Sequence, residues 1–173
     1  MTKTTKLIIS ALFAAIGIVL PIIFHSIPQS GQILLPMHIP VLLSGFICGP
    51  VWGLLCGIIT PLLSNLLTGM PPAAVLPGMI CELAAYGFFA GLFYNLIHTK
   101  QQWIKVYTSL ICSMLIGRVI FGVLNALIFK AGAYSLKVWL TASFVTALPG
   151  IIIQLIFIPA LLLAFYKAKL IKN

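Results

Sequence analysis

The sequence predicts an all-α integral membrane protein of six transmembrane helices with both termini in the cytoplasm. Three observations carry this expectation. The mean hydropathy is +1.21, with 62% hydrophobic and 6% charged residues. The apolar residues fall into runs of membrane-spanning length, and the basic residues lie almost entirely in the gaps between the runs. A soluble core built from 173 residues could not hide this much apolar surface, so lipid must be the solvent for most of it. Spans of about 20 residues with short connections use up the whole chain, so a single domain over 1–173 is expected.

The first span covers 7–24, with Pro21 loosening its last turn by removing a backbone donor. A polar, turn-rich loop follows from His25 to Gln32. Spans at 34–50 and 51–67 form a tight hairpin through Gly49-Pro50, and the loop Thr68-Gly-Met-Pro-Pro72 leads to a fourth span at 75–97. The stretch from His98 to Lys105 is the one clearly hydrophilic connection. A fifth span at 106–129, a loop from Lys130 to Lys137 and a long sixth span at 138–165 with Pro149 and Pro159 complete the chain. The N-terminal Met1-Thr-Lys-Thr-Thr-Lys6 imitates a secretory signal, but no cleavage site leads into a polar mature region, so a retained first helix is expected.

Lys3, Lys6, Lys100, Lys105, Lys167, Lys169 and Lys172 fall on one side of this topology and Lys130 and Lys137 on the other. Basic residues flanking short loops stay cytoplasmic, which sets the orientation. The loops at 25–36, 68–74 and 130–137 then face outside. The net charge of +9 therefore reads as a topology signal. The basic residues form no stripe with interleaved aromatics, and no nucleic-acid partner is expected. Cys48, Cys56, Cys81 and Cys112 lie inside apolar segments without CxxC spacing, so neither a disulfide framework nor a metal site is indicated.

Polar residues at membrane depth are costly and carry the functional reading. Glu82, the only acidic residue, falls in the fourth span, and Arg118 sits near the middle of the fifth. They could form a structural ion pair between adjacent helices, or one or both could line a ligand cavity. Arg118 is the better ligand contact, because its planar fork grips a carboxylate or phosphate through two parallel hydrogen bonds. Glu82 and Tyr86 are one helical turn apart, and Arg118 and Asn125 share a face at a spacing of seven. Asn65, Ser64 and Gln154 add uncharged donors and acceptors, and His38 opens the second span beside the first outer loop. On the first span Ala11 and Ala15 are spaced as small-xxx-small, with Ala14 nearby, a face that lets another helix approach closely. No HExxH, GxSxG or Walker loop and no Ser/His/Asp set occurs, so no catalytic residues are expected. No inverted repeat relates 1–86 to 87–173, which disfavours a self-sufficient secondary transporter.

The segment Leu35-Pro-Met-His-Ile-Pro-Val41, followed by Gly49-Pro-Val-Trp-Gly53, Thr60-Pro61, Gly69-Met-Pro-Pro72 and Glu82-Leu-Ala-Ala-Tyr-Gly87, resembles the substrate-binding S-components of energy-coupling factor (ECF) vitamin transporters. The resemblance spans essentially the whole chain and is to the branch that includes pantothenate transporters. It implies six helices in a bacterial plasma membrane, with the vitamin held in the outer half under the first and third outer loops. By this likeness, pantothenate would offer its carboxylate to Arg118 and its hydroxyl and amide groups to some of His38, Asn65, Glu82, Tyr86 and Asn125. Cobalamin, a pyridoxine-like or pyrimidine precursor, and folate stay open. Ala11 and Ala15 match the family's AxxxA face, which implies docking on a transmembrane coupling subunit that binds two cytoplasmic ATPases. The chain itself would need no cofactor.

Overall fold

The computed structural model describes residues 1–24, 30–129 and 134–167. Among them are six helices long and apolar enough to cross a bilayer. Helix α1 (Lys3–Ile23) starts on Thr2, whose hydroxyl accepts the Thr5 N–H at 3.2 Å and satisfies one orphan donor of the first turn. A single turn, α2 (Ser30–Ile33), precedes α3 (His38–Cys48), and then come α4 (Pro50–Thr68), α5 (Leu76–Leu96) and α6 (Gln102–Leu124). Helix α6 runs on into a π-helical turn, Asn125–Phe129. The short α7 (Leu136–Leu140) likewise continues as π-helix over Thr141–Thr146 before α8 (Leu148–Lys167). The end of the bundle holding the start of α1 is called basal below, and the opposite end distal.

Two predicted spans differ from what forms, and proline chemistry accounts for both. The span expected at 34–50 is broken, since its regular part begins only at His38. Pro36 disfavours helical geometry at the residue before it, and Leu35 turns to φ 51. Pro40 is tolerated because it lies in the first turn of α3. The span expected as one helix at 138–165 is interrupted at Ala147. Pro149 has no N–H to continue a helix arriving from α7, but it fits the first turn of α8. The loop expected at 130–137 is already helical from Leu136, and 130–133 lie outside the described residues, as do 25–29 of the first loop. The connection expected at 98–105 shortens, because α6 begins at Gln102.

Helix α5 is the centre of the bundle, packing on α3, α4 and α6, with its most extensive contact against α4. Glycines make that contact possible. A Cβ on Gly87 would lie 2.9 Å from Gly53 Cα, and one on Gly53 would lie 2.6 Å from the Gly87 carbonyl carbon. Two backbones therefore touch where side chains usually stand between helices, the association mode that small residues permit in lipid. Helix α1 lies against α3 and α4. It turns Ser10, Ala14 and Gly17 inward, while Leu7, Ile8, Leu12 and Val19 face outward. Helix α8 packs more sparsely, on α3 and α6. At the basal end its Tyr166 hydroxyl is hydrogen-bonded to that of Tyr94 on α5, and Gln102 of α6 also donates to the Tyr94 hydroxyl. At the distal end Gly150 of α8 rests on the backbone of Ile33 and Leu34, where a Cβ would come within 2.7 Å of the Ile33 carbonyl oxygen.

Candidate functional site

Helices α3, α5 and α6 each turn an ionisable or aromatic polar side chain into the distal half of the bundle. His38 is 1% exposed, Glu82 7%, Tyr86 0% and Arg118 3%, so none is solvated, and each must find its partners within the fold or in a ligand. His38 Nε2 stands 3.9 Å from Glu82 Oε2, and its ring meets Tyr86 edge-on with centroids 5.2 Å apart. Tyr86 fits because Gly117, next to Arg118 on α6, has no side chain to overlap its ring. His38, Glu82 and Tyr86 are thus brought together, with the Arg118 helix closing against them.

The Glu82–Arg118 ion pair offered by the sequence does not form. Among the described residues the ion-pair partner of Glu82 is His38, and Arg118 donates from Nη1 to the backbone carbonyl of Ser143. The helical widening at Thr141–Thr146 displaces carbonyls from regular pairing and supplies this acceptor. Trp139 fixes the same residue from behind, its indole N–H donating to the Arg118 carbonyl at 3.0 Å. The guanidinium lies 5.7 Å from the centre of the Phe144 ring, within range of a cation–π attraction. Arg118 Nε and Nη2 have no hydrogen-bond partner among the described residues. Those two atoms form one edge of the planar fork, the edge that can hold a carboxylate side-on.

Both ring nitrogens of His38, the Ser64 and Tyr86 hydroxyls and both amide atoms of Gln154 likewise complete no hydrogen bond among the described residues. Buried polar groups are paired in the great majority of folded proteins, so this concentration in one half of the bundle makes it the candidate site. Trp139 and Ser143 were not singled out by sequence. Their only signal is the irregular, Ser- and Thr-bearing stretch ahead of Pro149.

Asn125 and Asn65 stand apart from this group. Asn125 begins the π-helical turn, donates to the Phe121 carbonyl at 2.8 Å and lies against Gly78 of α5. Asn65 donates to the Pro71 carbonyl at 2.7 Å and so ties α4 to the loop that follows it. Asn65→Ala is expected to release that loop at a cost of about 1 kcal/mol. Amide exchange over 69–75 should then rise about fivefold by mass spectrometry, and unchanged exchange would show the loop to be held by other contacts.

A cavity of about 240 Å³ opens between α6 and α7, walled by Val119, Val123 and Ala126 on one side and by Leu136 and Trp139 on the other. It is apolar, and Trp139 in its wall donates to the Arg118 carbonyl. Tyr134 lies at its rim. Burial pushes the Tyr134 phenol up from its ordinary pKa, and the charge of Glu82 acts in the same direction, so Tyr134 remains a neutral donor.

On α1, Ala11 and Ala15 lie on the outward face, whereas Ala14 is buried against a cluster that includes Val41, Cys56 and Leu83. The expectation that all three alanines form one outer surface is corrected for Ala14. Ala14 lies four residues after Ser10 and three before Gly17, on the buried stripe of α1, and Ala11 and Ala15 sit to one side of that stripe. The four cysteines are free thiols, and no group of three His, Cys, Asp or Glu side chains that could hold a metal occurs among the described residues.

No curated protein and no solved structure matches this chain. A family model does match, that described as ECF transporter, substrate-specific component, over residues 5–162. That match covers nearly all of the six-helix bundle and both sides of its buried polar cluster, and the chain belongs to the family of ECF transporter substrate-specific components.

Proposed function

We propose that this chain is the pantothenate-binding S-component of an ECF-type importer. It captures the vitamin outside and delivers it inward through a transmembrane coupling subunit driven by two cytoplasmic ATPases. One observation carries the choice of an acid as ligand. Arg118 is buried with one hydrogen bond, and among the described residues its Nε–Nη2 edge has no partner. A guanidinium in lipid-embedded surroundings favours an anion that can occupy that edge. His38, Tyr86 and Glu82 beside it suit hydroxyl and amide groups.

The distal end faces outside and both termini lie in the cytoplasm of a bacterial cell, as the seven-to-two distribution of lysines favours. Because the cluster is closed over, binding requires the segments at its distal end, 30–37 and 69–75, to part. On α1, Ala11 and Ala15 present the surface on which the coupling subunit docks.

The test is a titration of the purified, detergent-solubilised chain against a vitamin panel led by pantothenate, with cobalamin, folate and hydroxymethylpyrimidine included. Saturable, sub-micromolar binding of pantothenate is the expected result. Tight binding of another vitamin would keep the S-component reading and replace its cargo. No binding of any vitamin by folded protein would overturn a vitamin as the cargo and point to another ligand class.

A further inference from the structure

Four helices each contribute to one buried core cluster, among others Leu42 from α3, Tyr86 from α5, Met114 from α6 and Ile158 from α8. One helical turn toward the distal end on each helix stands His38, Glu82, Arg118 and Gln154 respectively. Residues four apart lie on one face with a rise of about 6 Å, so each of these four side chains follows a core residue on the same helix face, one turn nearer the distal end. Three of them belong to the cluster described above. The fourth, Gln154, is 0% exposed, and among the described residues neither its amide nitrogen nor its amide oxygen has a hydrogen-bond partner. In a bundle surrounded by lipid, such a side chain is expensive to keep without a partner. Leucine or methionine at this position would pack at no such cost.

We infer that Gln154 is the specificity-determining residue of the site, reading an uncharged donor and acceptor on the ligand while Arg118 holds its anionic end. The inference deepens the vitamin-binding reading and rests on it. It narrows the substrate class to small acids that also carry an amide N–H, and it disfavours acids without one. The geometry is two-ended. Helix α6 supplies the charge, α8 supplies the neutral amide, and the apolar Leu42, Met114 and Ile158 belong to the core on the basal side of both. A ligand lacking the amide would leave Gln154 unpaired in the complex, which is how polar sites reject analogues.

The experiment compares the full-length wild type with Gln154→Met, a near-isosteric change, by thermal unfolding without ligand and by titration with two probes. The probes are pantothenate and its analogue with an ester oxygen in place of the amide N–H. Without ligand, Gln154→Met should raise Tm by about 2–4 °C, since it removes an unpaired buried amide. Wild type should bind pantothenate about tenfold more tightly than the ester, and Gln154→Met should bind the two alike. A lower Tm in both Gln154→Met and Gln154→Leu would show a structural residue and overturn the inference. An equal loss of affinity for both probes, or discrimination kept in the variant, would overturn it as well. Failure of wild type to bind pantothenate would overturn the cargo assignment alone. Gln154 would then be judged by the Tm shift and by the same comparison on whichever panel vitamin binds.

Discussion

Arg118→Ala is expected to weaken pantothenate binding at least tenfold, about 1.4 kcal/mol, in protein that remains folded. The folded state tolerates the change because, among the described residues, the side chain makes one hydrogen bond, to the Ser143 carbonyl, and leaves Nε and Nη2 without partners. Deleting it removes a buried cation together with that bond. Glu82 is not stranded either, since its ion-pair partner is His38. The ligand, by contrast, loses both donors of a planar fork and is left with a carboxylate facing an apolar core. Arg118→Lys should recover little, because an ammonium is a point charge without two parallel donors. The check is isothermal titration of each variant, with circular dichroism and size exclusion to show that the fold is retained. Unchanged affinity in folded Arg118→Ala would remove this residue from the site.

Gly87→Val is expected to have the largest effect on stability, about 3 kcal/mol or more. Small-to-large changes in packed cores typically cost 1–3 kcal/mol when side chains can shift, but here the obstacle is the Gly53 backbone of the neighbouring helix. To admit the new carbons, α4 and α5 must separate along their most extensive contact, which also carries Glu82 and Tyr86 away from their partners on α3 and α6. Loss of monodisperse protein in detergent, or a fall in Tm of several degrees, is the expected measurement. Gly31→Ala, at a position with nothing within 4 Å, serves as the control and should behave as wild type. A Gly87→Val protein as stable as the control would mean that the seam does not set the helix spacing.

The number of spans was legible because hydropathy acts on whole segments, and no local irregularity among 20 residues cancels it. The places where sequence reading failed share one cause. Pro36 and Pro149 interrupt runs whose composition is uniformly apolar, and a hydropathy window does not register a missing N–H. The same limit hid Ser143 and Trp139. One serves through a main-chain carbonyl that any residue would carry, and the other bonds a main-chain carbonyl on α6. Glu82 and Arg118 were conspicuous as intramembrane charges, but their pairing was not, because helix order alone does not say which face of α5 meets α3 and which meets α6. Helical spacing placed Glu82 with Tyr86 and separated Ala14 from the outward alanines only once the inward face of α1 was known.

The fastening of α8 has a mechanical consequence. Its basal end is held by the Tyr94 and Tyr166 hydroxyls, whereas its distal end rests on the backbone of Ile33 and Leu34 through a glycine that adds no side-chain grip. Twenty residues make a rod of about 30 Å, hinged at one end and resting at the other. A tilt of about 5° at the hinge would carry the resting end by about 2.6 Å over that length, enough to lift it off the 33–34 segment while barely disturbing the tyrosines. Ile158 and Leu162 keep the rest of α8 in the core, so the loosest grip on this helix is at the end next to Ile33 and Leu34.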